Sequence, residues 1–323
     1  MVMGHVRVKK HKVHTSLLFI IFLAVLLFLS QYNFNGSKTN TTSTAVLPSV
    51  TLTPSPTIVP LEEINKSGLG EAVNHTLVNE TGIYAVVIKN LTTGESFYYN
   101  ENRPFSTASL YKLWVMAETY RQIEAGILRE DELITKSIVD LNAEFYLDSN
   151  TAERNDGIIS LSVSDAVKEM IVISDNYAGL LLTDKIRLQN LRTFLQKNNF
   201  LNSYVSSDHS LPTTTAFDMA NFLVKLYLGD LADKENSEKM LNLLKTQRLN
   251  DKIPKYLPNG IPIAHKTGEL DEFNHDVGII FSPSSTYVVA LLSETKDPKN
   301  TKEILSLLSK SVYEYFNPDS SHD

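Results

Sequence analysis

The division of charge along the chain constrains its fold more than any other feature of the sequence. Residues 1–60 contain no Asp or Glu, although the 323-residue chain has 37 acidic residues. Only five of the 30 Lys and Arg residues lie in this segment, so the other 263 residues carry a net charge of −12. A chain that divides so sharply is expected to consist of two physically different parts. The folded domain must lie after residue 60, where the chain is long enough to bury a substantial core.

The N-terminal part has the features of a membrane anchor. A cationic patch at Arg7–Lys12 precedes an unbroken apolar run at Leu17–Leu29. A secretory signal peptide has the same two features, but no small-residue cleavage pattern follows at residues 30–36, which favours an uncleaved anchor through residues 13–30. The positive-inside rule places the cationic patch in the cytoplasm. We therefore expect a single-pass protein of the cell membrane with an extracytoplasmic domain. Secretion after signal cleavage is the alternative.

A linker rich in Ser, Thr and Pro connects this anchor to the folded domain. These three residue types make up 15 of the 24 residues from 37 to 60. Such a segment buries too little apolar surface to offset its ordering entropy and is expected to act as an extended spacer. We assign residues 1–30 to the cytoplasmic tail and anchor, residues 31–61 to the linker and residues 62–323 to the catalytic domain.

The composition excludes several classes of function. The chain has no Cys, which excludes disulfides, a thiolate nucleophile and Cys-ligated metal centres. Its eight His residues show no metal-ligand spacing, and no phosphate-cradling Gly loop is present. We therefore expect no metal and no cofactor. The acidic domain also lacks the clustered cations that a nucleic-acid partner requires. The sequence does not indicate the oligomeric state.

The order of apolar patterns predicts a mixed α/β (α+β layered) fold. Strand-like runs occur near both ends of the domain, and helical patterns dominate between them. One antiparallel sheet built from both chain ends, flanked by helices, would accommodate an inserted all-helical lobe at about residues 128–255. A cleft between the two parts is the expected site. The predicted strands are Ile83–Ile88, Ser96–Tyr99, Ile261–Lys266, Asp276–Phe281 and Thr286–Leu292, and a helix is predicted at Thr301–Phe316.

A lysine interrupts an otherwise apolar helical segment at residues 110–117. Lys112 lies on this segment, so its burial should lower its pKa towards the range of a general base. Ser109 is three residues earlier, on the same face of a helix, where it could act as an activated nucleophile. Alternatively, Ser109 only caps the helix and Lys112 extends to solvent. The Ser-x-x-Lys spacing alone does not separate these interpretations.

Two further short motifs have both a structural and a functional interpretation. Ser174–Asn176 lies between apolar helical segments and is typical of a helix–helix turn. Its Ser could relay a proton, and its Asn could bind a substrate amide. Lys266–Gly268 follows an apolar run and could be a strand-end turn, or a strand edge that binds an anionic group.

Together the three motifs resemble the trio that marks class A β-lactamases and penicillin-binding proteins. The Ser-x-x-Lys, Ser-Asp-Asn and Lys-Thr-Gly motifs occur here in that order and in the expected contexts. The resemblance extends from about Leu61 to Phe316. It implies a β-lactamase/transpeptidase-like fold and a serine hydrolase that acts by acyl transfer on cell-wall peptide or a β-lactam.

The resemblance also implies a role for each matching residue. The backbone N–H groups of the nucleophile and of Glu269 would form the oxyanion hole. The other roles are Ser109 as nucleophile, Lys112 as its base, Ser174 as the relay to the leaving nitrogen, Asn176 as the ligand of the substrate amide, and Lys266, Thr267 and Gly268 as the binding edge for the substrate carboxylate.

One departure from the family pattern bears on the substrate. Class A β-lactamases use a loop Glu to activate the water that hydrolyses the acyl-enzyme, but no Glu occurs between Asn202 and Thr215, where Asp208 is the only acid. No Arg follows Arg248 to assist carboxylate binding. This pattern resembles D-alanyl-D-alanine peptidases that are acylated by penicillins. The alternatives are a β-lactamase in which Asp208 or another group activates water, and a catalytically idle wall-binding module.

Overall fold

The structure, a computed structural model, describes residues 68–206 and 210–318. The predicted tail, anchor and linker lie outside these residues, and so does Asp208. Within the described part of the chain, no helix is both long enough and apolar enough to cross a bilayer.

A five-stranded antiparallel sheet forms the centre of the fold, as the sequence predicted. Two strands come from the start of the domain and three from its end, in the spatial order β2-β1-β9-β8-β7. The long central pairing of β1 with β9 therefore joins the two ends of the domain. The strands are β1 (Ile83–Asn90), β2 (Ser96–Tyr99), β7 (Ile263–Leu270), β8 (Phe273–Phe281) and β9 (Thr286–Glu294).

Both faces of the sheet are covered by helices. Successive side chains of a strand point to opposite faces, and in the central strands both sets are apolar. Val87 and Ala290 are paired in register and face the larger core, which includes the helices of the middle of the chain. Val86 and Leu291 face a second core, formed with helices α1 (Gly68–Leu77) and α9 (Pro298–Phe316). The sheet is therefore a rigid support for residues at its edges.

The middle of the chain is mainly helical, but it is not the all-helical lobe that the sequence predicted. This region contains a small antiparallel sheet of β4 with β5. It also contains β6, which pairs with β3 from the segment before α2. Strand β4 alternates exposed Leu133, buried Ile134 and exposed Thr135, a short period-two pattern within a mainly helical region. The strands are β3 (Phe105–Ser106), β4 (Leu133–Ser137), β5 (Ile158–Ser162) and β6 (Thr213–Thr214). The helices are α2 (Lys112–Glu124), α3 (Ile138–Glu144), α4 (Val163–Val172), α5 (Asn176–Ile186), α6 (Leu188–Lys197), α7 (Ala216–Leu228) and α8 (Lys234–Leu244).

Helix α2 is buried on nearly all sides, as its apolar sequence predicted. Lys112 and Glu118 are both fully buried on it. The Glu118 carboxylate accepts hydrogen bonds from Arg121 (2.6 Å) and Gln122 (2.8 Å), and these satisfy it within the same helix. The burial of charged groups on α2 therefore depends on polar partners at each position.

A buried histidine connects the central sheet to the strand that precedes α2. The Nε2–H of His275 on β8 donates to the carbonyl of Ser106 on β3 (2.8 Å). The backbone N–H of Ser293 on β9 donates to Nδ1 of the same ring (3.2 Å). Burial lowers the pKa of His275 to about 4, so the ring is neutral at pH 7 and makes both bonds. The ring also packs edge-on against Phe105, with the ring centroids 6.0 Å apart.

This histidine should make folding stability depend on acidity. Below the pKa of an unfolded His, about 6.5, the unfolded chain binds a proton that the folded protein excludes. His275 therefore removes stability as the pH falls from about 6.5 to about 4, by up to about 3 kcal/mol. Urea denaturation at pH 7 and at pH 4.5 measures this loss. His275→Gln should be less stable at pH 7 and should lose less stability on acidification. Equal losses in both proteins would contradict the assignment.

Candidate active site

Ser109 lies in a tight turn at the floor of a cavity of about 400 Å³. The sequence placed it at the start of an α-helix, whereas the structure places it in a 3-10 turn, Ala108–Tyr111, directly before α2. Ala108 has a φ of +45°, which is strained for a residue with a Cβ atom. Such strain persists only where the surrounding structure imposes it. The Ser109 hydroxyl makes no hydrogen bond to any residue that the structure describes.

Lys112 is fully buried next to this turn, one turn along from Ser109. Its Nζ donates to the Ser174 carbonyl (2.6 Å), to the Asn176 Oδ1 (2.8 Å) and, more weakly, to the Ser174 hydroxyl (3.3 Å). Burial lowers the pKa of Lys112 to about 8, and the negative charges of Asp175 and Glu153 oppose this shift. The lysine is therefore poised to exist as a neutral amine at mildly alkaline pH.

The Ser174–Asn176 motif forms a helix–helix turn, as predicted. Asp175 caps α5, because its Oδ1 accepts from the Ala178 N–H (2.7 Å). Ser174 has a φ of +61°, and this strained backbone directs both its carbonyl and its hydroxyl towards buried lysines. The helix–helix-turn and functional interpretations of this motif are therefore compatible. Asp175 stabilises the turn as the cap of α5, and Ser174 and Asn176 contribute to the site.

Lys266, on strand β7, contacts the same hydroxyl. Its Nζ donates to the Ser174 hydroxyl (2.9 Å) and to the Thr267 carbonyl (2.9 Å). Burial and, to a lesser extent, the positive charge of Lys112 lower the pKa of Lys266 to about 7. One serine hydroxyl therefore bridges two buried lysines whose titrations are coupled. This arrangement suits proton transfer between the two lysines through the Ser174 hydroxyl.

The Lys266–Gly268 motif lies within strand β7 and not in a strand-end turn. Strand β7 is the edge strand of the sheet, so the predicted strand edge is correct. A Cβ atom on Gly268 would lie 3.0 Å from the Thr107 carbonyl oxygen and 3.1 Å from the Leu110 Cγ. Only glycine allows the edge strand to approach the Ser109 turn this closely. Thr267 is buried beside it.

Glu269 follows on the same strand and lines the cavity. Its carboxylate is directed to an ion-pair cluster, where it binds Lys252 (2.5 Å) and Lys302 (2.8 Å). Lys252 is fully buried and also pairs with Asp251. Its charge contributes to the lowered pKa of Lys266.

The structure adds one cavity residue that the sequence did not reveal. Glu153 lies in the loop between α3 and β5, and its Oε1 accepts a hydrogen bond from the Asn176 Nδ2 (2.5 Å). It lines the same cavity as Ser109. No motif marks this residue. It lies 23 residues before Asn176, in a loop that brings it to the cavity. No cluster of His, Asp or Glu within the described ranges could hold a metal ion.

The loop expected to carry a water-activating Glu is short. Tyr204 and Thr213 are paired by two backbone hydrogen bonds (2.8 and 3.0 Å), which leaves only residues 205–212 between them. The part of this loop that contains Asp208 lies outside the described residues.

The cavity and its motifs agree with a comparison against families of known proteins. Residues 69–316 match the sequence model described as the "Beta-lactamase enzyme family". The chain belongs to this family. As a member of the β-lactamase enzyme family with neighbours among class A β-lactamases, it is a serine hydrolase. No curated protein matches its sequence.

Solved structures of the β-lactamase enzyme family share its fold. A β-lactamase from Sphaerobacter thermophilus DSM 20745 is 26% identical, with a TM-score of 0.68, and the match covers 78% of this chain and 97% of that one. A variant of PBP-A, solved as an acyl-enzyme complex with penicillin G, is 20% identical (TM-score 0.67; 82% and 100% covered). A class A β-lactamase from Bacteroides cellulosilyticus DSM 14838 is 19% identical (TM-score 0.68; 78% and 98% covered).

The close approach at Gly268 can be tested with a single methyl group. Gly268→Ala should displace the Ser109 turn, lower stability by about 1–3 kcal/mol through overpacking, and slow acylation by a fluorescent penicillin. Gly94→Ala is the matched control, because Gly94 has a φ of +82° but no atom within 4 Å of its Cβ position. The control should lose some stability through backbone strain and keep its acylation rate. Normal acylation of Gly268→Ala would show that the close contact is not needed.

Proposed function

We propose that this protein is a D,D-peptidase that acts on D-alanyl-D-alanine ends of cell-wall peptides and is acylated by β-lactams. In the first step, the Ser109 Oγ attacks the carbonyl of the penultimate D-alanine, and Lys112 in its neutral form accepts the hydroxyl proton. The C–N bond then breaks, Ser174 donates a proton to the leaving nitrogen, and the terminal D-alanine departs. Water later hydrolyses the resulting ester.

The observation that carries this proposal is the bridge of the Ser174 hydroxyl between the two buried lysines. Lys112 is close to the nucleophile turn and has a pKa of about 8, which suits a base near neutral pH. Ser174 lies within hydrogen-bond distance of both Nζ atoms, so the proton taken on one side can be returned on the other. Oxyanion stabilisation by the Ser109 and Glu269 N–H groups would lower the barrier by several kcal/mol, about 3–4 per donor.

Binding of the substrate carboxylate is assigned to Lys266 and Thr267, on the edge strand. The terminal D-alanine and a penicillin both carry a carboxylate near the bond that is cleaved, and a buried ammonium is a strong partner for it. An incoming carboxylate would raise the pKa of Lys266 from about 7 and hold it in its charged form. Binding of such a carboxylate and protonation of Lys266 therefore favour each other.

The absence of a Glu from the loop before Thr215 favours a peptidase over a β-lactamase. The loop between Tyr204 and Thr213 contains no Glu, so it lacks the side chain that activates water in class A β-lactamases. Of the acids that line the cavity, Glu269 is engaged by two lysines and Glu153 by Asn176. The penicillin G acyl-enzyme of the PBP-A variant shows that such an adduct can be captured on this fold.

We also propose that the domain works on the outer face of the cell membrane. Support comes from the cationic patch Arg7–Lys12, the apolar run Leu17–Leu29 and the linker that follows. This arrangement would hold the serine near cell-wall peptide. Membrane fractionation of cells that produce the full chain, followed by protease treatment from outside, tests it. A protected catalytic domain or a fully soluble protein would contradict it.

Intact-mass spectrometry after mixing with benzylpenicillin tests the main proposal. The protein should gain the mass of one penicillin on Ser109 and keep it for many minutes, because water is poorly activated. Ser109→Ala is the control and should gain no mass. Rapid turnover without a persistent adduct would contradict the peptidase proposal. No adduct and no turnover would indicate an idle wall-binding module.

A β-lactamase is the second candidate, because the 26% identical relative from Sphaerobacter thermophilus carries that name. It requires an acid that activates water, and Asp208 and Glu153 are the candidates. This alternative predicts steady-state hydrolysis of benzylpenicillin that falls at least tenfold in Asp208→Asn or Glu153→Gln, since a general base contributes about 10²–10⁴-fold. Under the peptidase proposal, both variants should keep the long-lived adduct.

The coupled lysines should give acylation a bell-shaped pH profile. Lys112 must be neutral to accept a proton, so the rate rises as the pH approaches about 8. Lys266 must be charged to bind a carboxylate, so the rate falls above about 7. Because the two lysines interact, the apparent pKa values of the two limbs belong to the Lys112–Lys266 pair, and the limbs overlap. The second-order rate constant for acylation, measured from pH 5.5 to 10, reports on the free enzyme.

Lys266→Arg separates the two limbs. Arginine keeps its charge throughout this pH range, so the alkaline limb should disappear and only the rise through Lys112 should remain. The permanent positive charge should also move that rise to lower pH. Lys255→Arg, in an exposed ion pair with Glu303, is the control and should keep the bell shape. An alkaline limb that persists in Lys266→Arg would contradict the role of Lys266.

A further inference from the structure

The rim of the cavity carries an acidic group with no ion-pair partner. Glu153 and Glu269 are the two acids that line the cavity. Glu269 is neutralised by Lys252 and Lys302, whereas Glu153 forms no ion pair within the described ranges. Glu153 is also exposed, so an incoming group can reach its carboxylate. A carboxylate without a direct ion pair at a cavity mouth attracts cations.

The loop that carries Glu153 is held in place by a buried tyrosine. The backbone N–H of the next residue, Arg154, donates to the Tyr177 hydroxyl (3.2 Å), and the Arg154 carbonyl accepts from the Asn142 Nδ2 (2.7 Å). The Arg154 guanidinium lies over the Tyr177 ring, 5.3 Å from its centroid, instead of pairing with Glu153. The backbone beside Glu153 is therefore fixed, although the side chain is exposed.

Glu153 is placed next to the acyl side of the proposed substrate. The Asn176 side chain donates from Nδ2 to Glu153 (2.5 Å) and accepts at Oδ1 from Lys112 (2.8 Å). An amide nitrogen has two N–H groups, so a second N–H remains for the substrate carbonyl. The substrate residue that precedes the D-alanine pair would then lie close to the Glu153 carboxylate.

We propose that Glu153 is a specificity residue that selects acyl donors with a free ammonium group on the residue before the D-alanine pair. This inference rests on the proposed acyl-transfer function and adds the chemical class of the acyl donor. The recognition is a partly exposed ion pair, so its effect is modest. It corresponds to about three- to fivefold in kcat/KM and weakens as the salt concentration rises.

A matched pair of peptides tests the inference. Nα-acetyl-L-lysyl-D-alanyl-D-alanine carries a free side-chain amine, and the same peptide acetylated at that amine does not. The full-length protein should release D-alanine faster from the free amine, by about three- to fivefold in kcat/KM. Raising the salt from 50 to 500 mM should reduce this ratio, which needs no variant.

Two substitutions assign the preference to Glu153. Glu153→Gln keeps a group that can accept from Asn176 and should bring the ratio close to one. Glu153→Lys should favour the acetylated peptide. The control, Glu238→Gln, removes an exposed charge on α8 and should keep the wild-type ratio. A wild-type ratio near one, or an unchanged ratio in Glu153→Gln, would overturn the inference.

Failure of the proposed function has a different signature. Benzylpenicillin has no amine, so its acylation rate does not depend on this preference. If the protein is acylated by benzylpenicillin but does not distinguish the two peptides, the Glu153 inference is wrong and the acyl-transfer proposal stands. If neither peptide is cleaved and no adduct forms, both are wrong.

Discussion

The site depends on one hydroxyl shared by two buried lysines. Lys112 and Lys266 come from parts of the chain more than 150 residues apart, yet both Nζ atoms donate to Ser174. Burying two like charges together is costly, and burial lowers the pKa of both lysines, so that each can lose its charge near neutral pH. Two backbone features make this shared contact possible. The positive φ of Ser174 turns its carbonyl and hydroxyl towards the lysines, and Gly268 lets strand β7 approach the Ser109 turn. Burial is what lowers the pKa of Lys112 to about 8, so a solvent-exposed Lys112 would keep a pKa near its ordinary value and would stay protonated at neutral pH.

Much of the fold was predictable because its signals are long and periodic. The strands at both ends of the domain and the buried helix after Ser109 follow directly from apolar patterns. The sheet pairs β4 with β5 were missed, because each strand has only five residues and lies between helical patterns. The 3-10 turn at Ser109 was also missed. A tight turn and an α-helix start have similar local sequences, and the position of Gly268 against the turn is a long-range contact.

The site was predictable where it depends on motifs and not where it depends on a loop. Lys112, Ser174 and Lys266 lie in three short motifs, so their meeting could be expected from the family pattern. Glu153 lies in no motif, and only the hydrogen bonds that hold the Arg154 backbone bring it to the cavity. The sequence singles out only Asp208, in the loop before Thr215, as an acid that could activate water, and any other group could not be named from it. An acidic side chain can line the cavity from any loop that reaches its edge, as Glu153 does.

Under the proposed function, the cavity has a polarity that the net charge of the chain conceals. The ammonium groups of Lys112 and Lys266 are buried together at Ser174, and the exposed carboxylate of Glu153 lines the cavity and accepts from Asn176. A peptide with a C-terminal carboxylate and an amine on the residue before the D-alanine pair matches both ends. Binding in the reverse direction would bring like charges together at each end, which is unfavourable. The distribution of charge along the cavity, rather than its total, would therefore orient the scissile bond over Ser109. The same argument explains why a chain with an overall acidic domain can still bind an anionic substrate end.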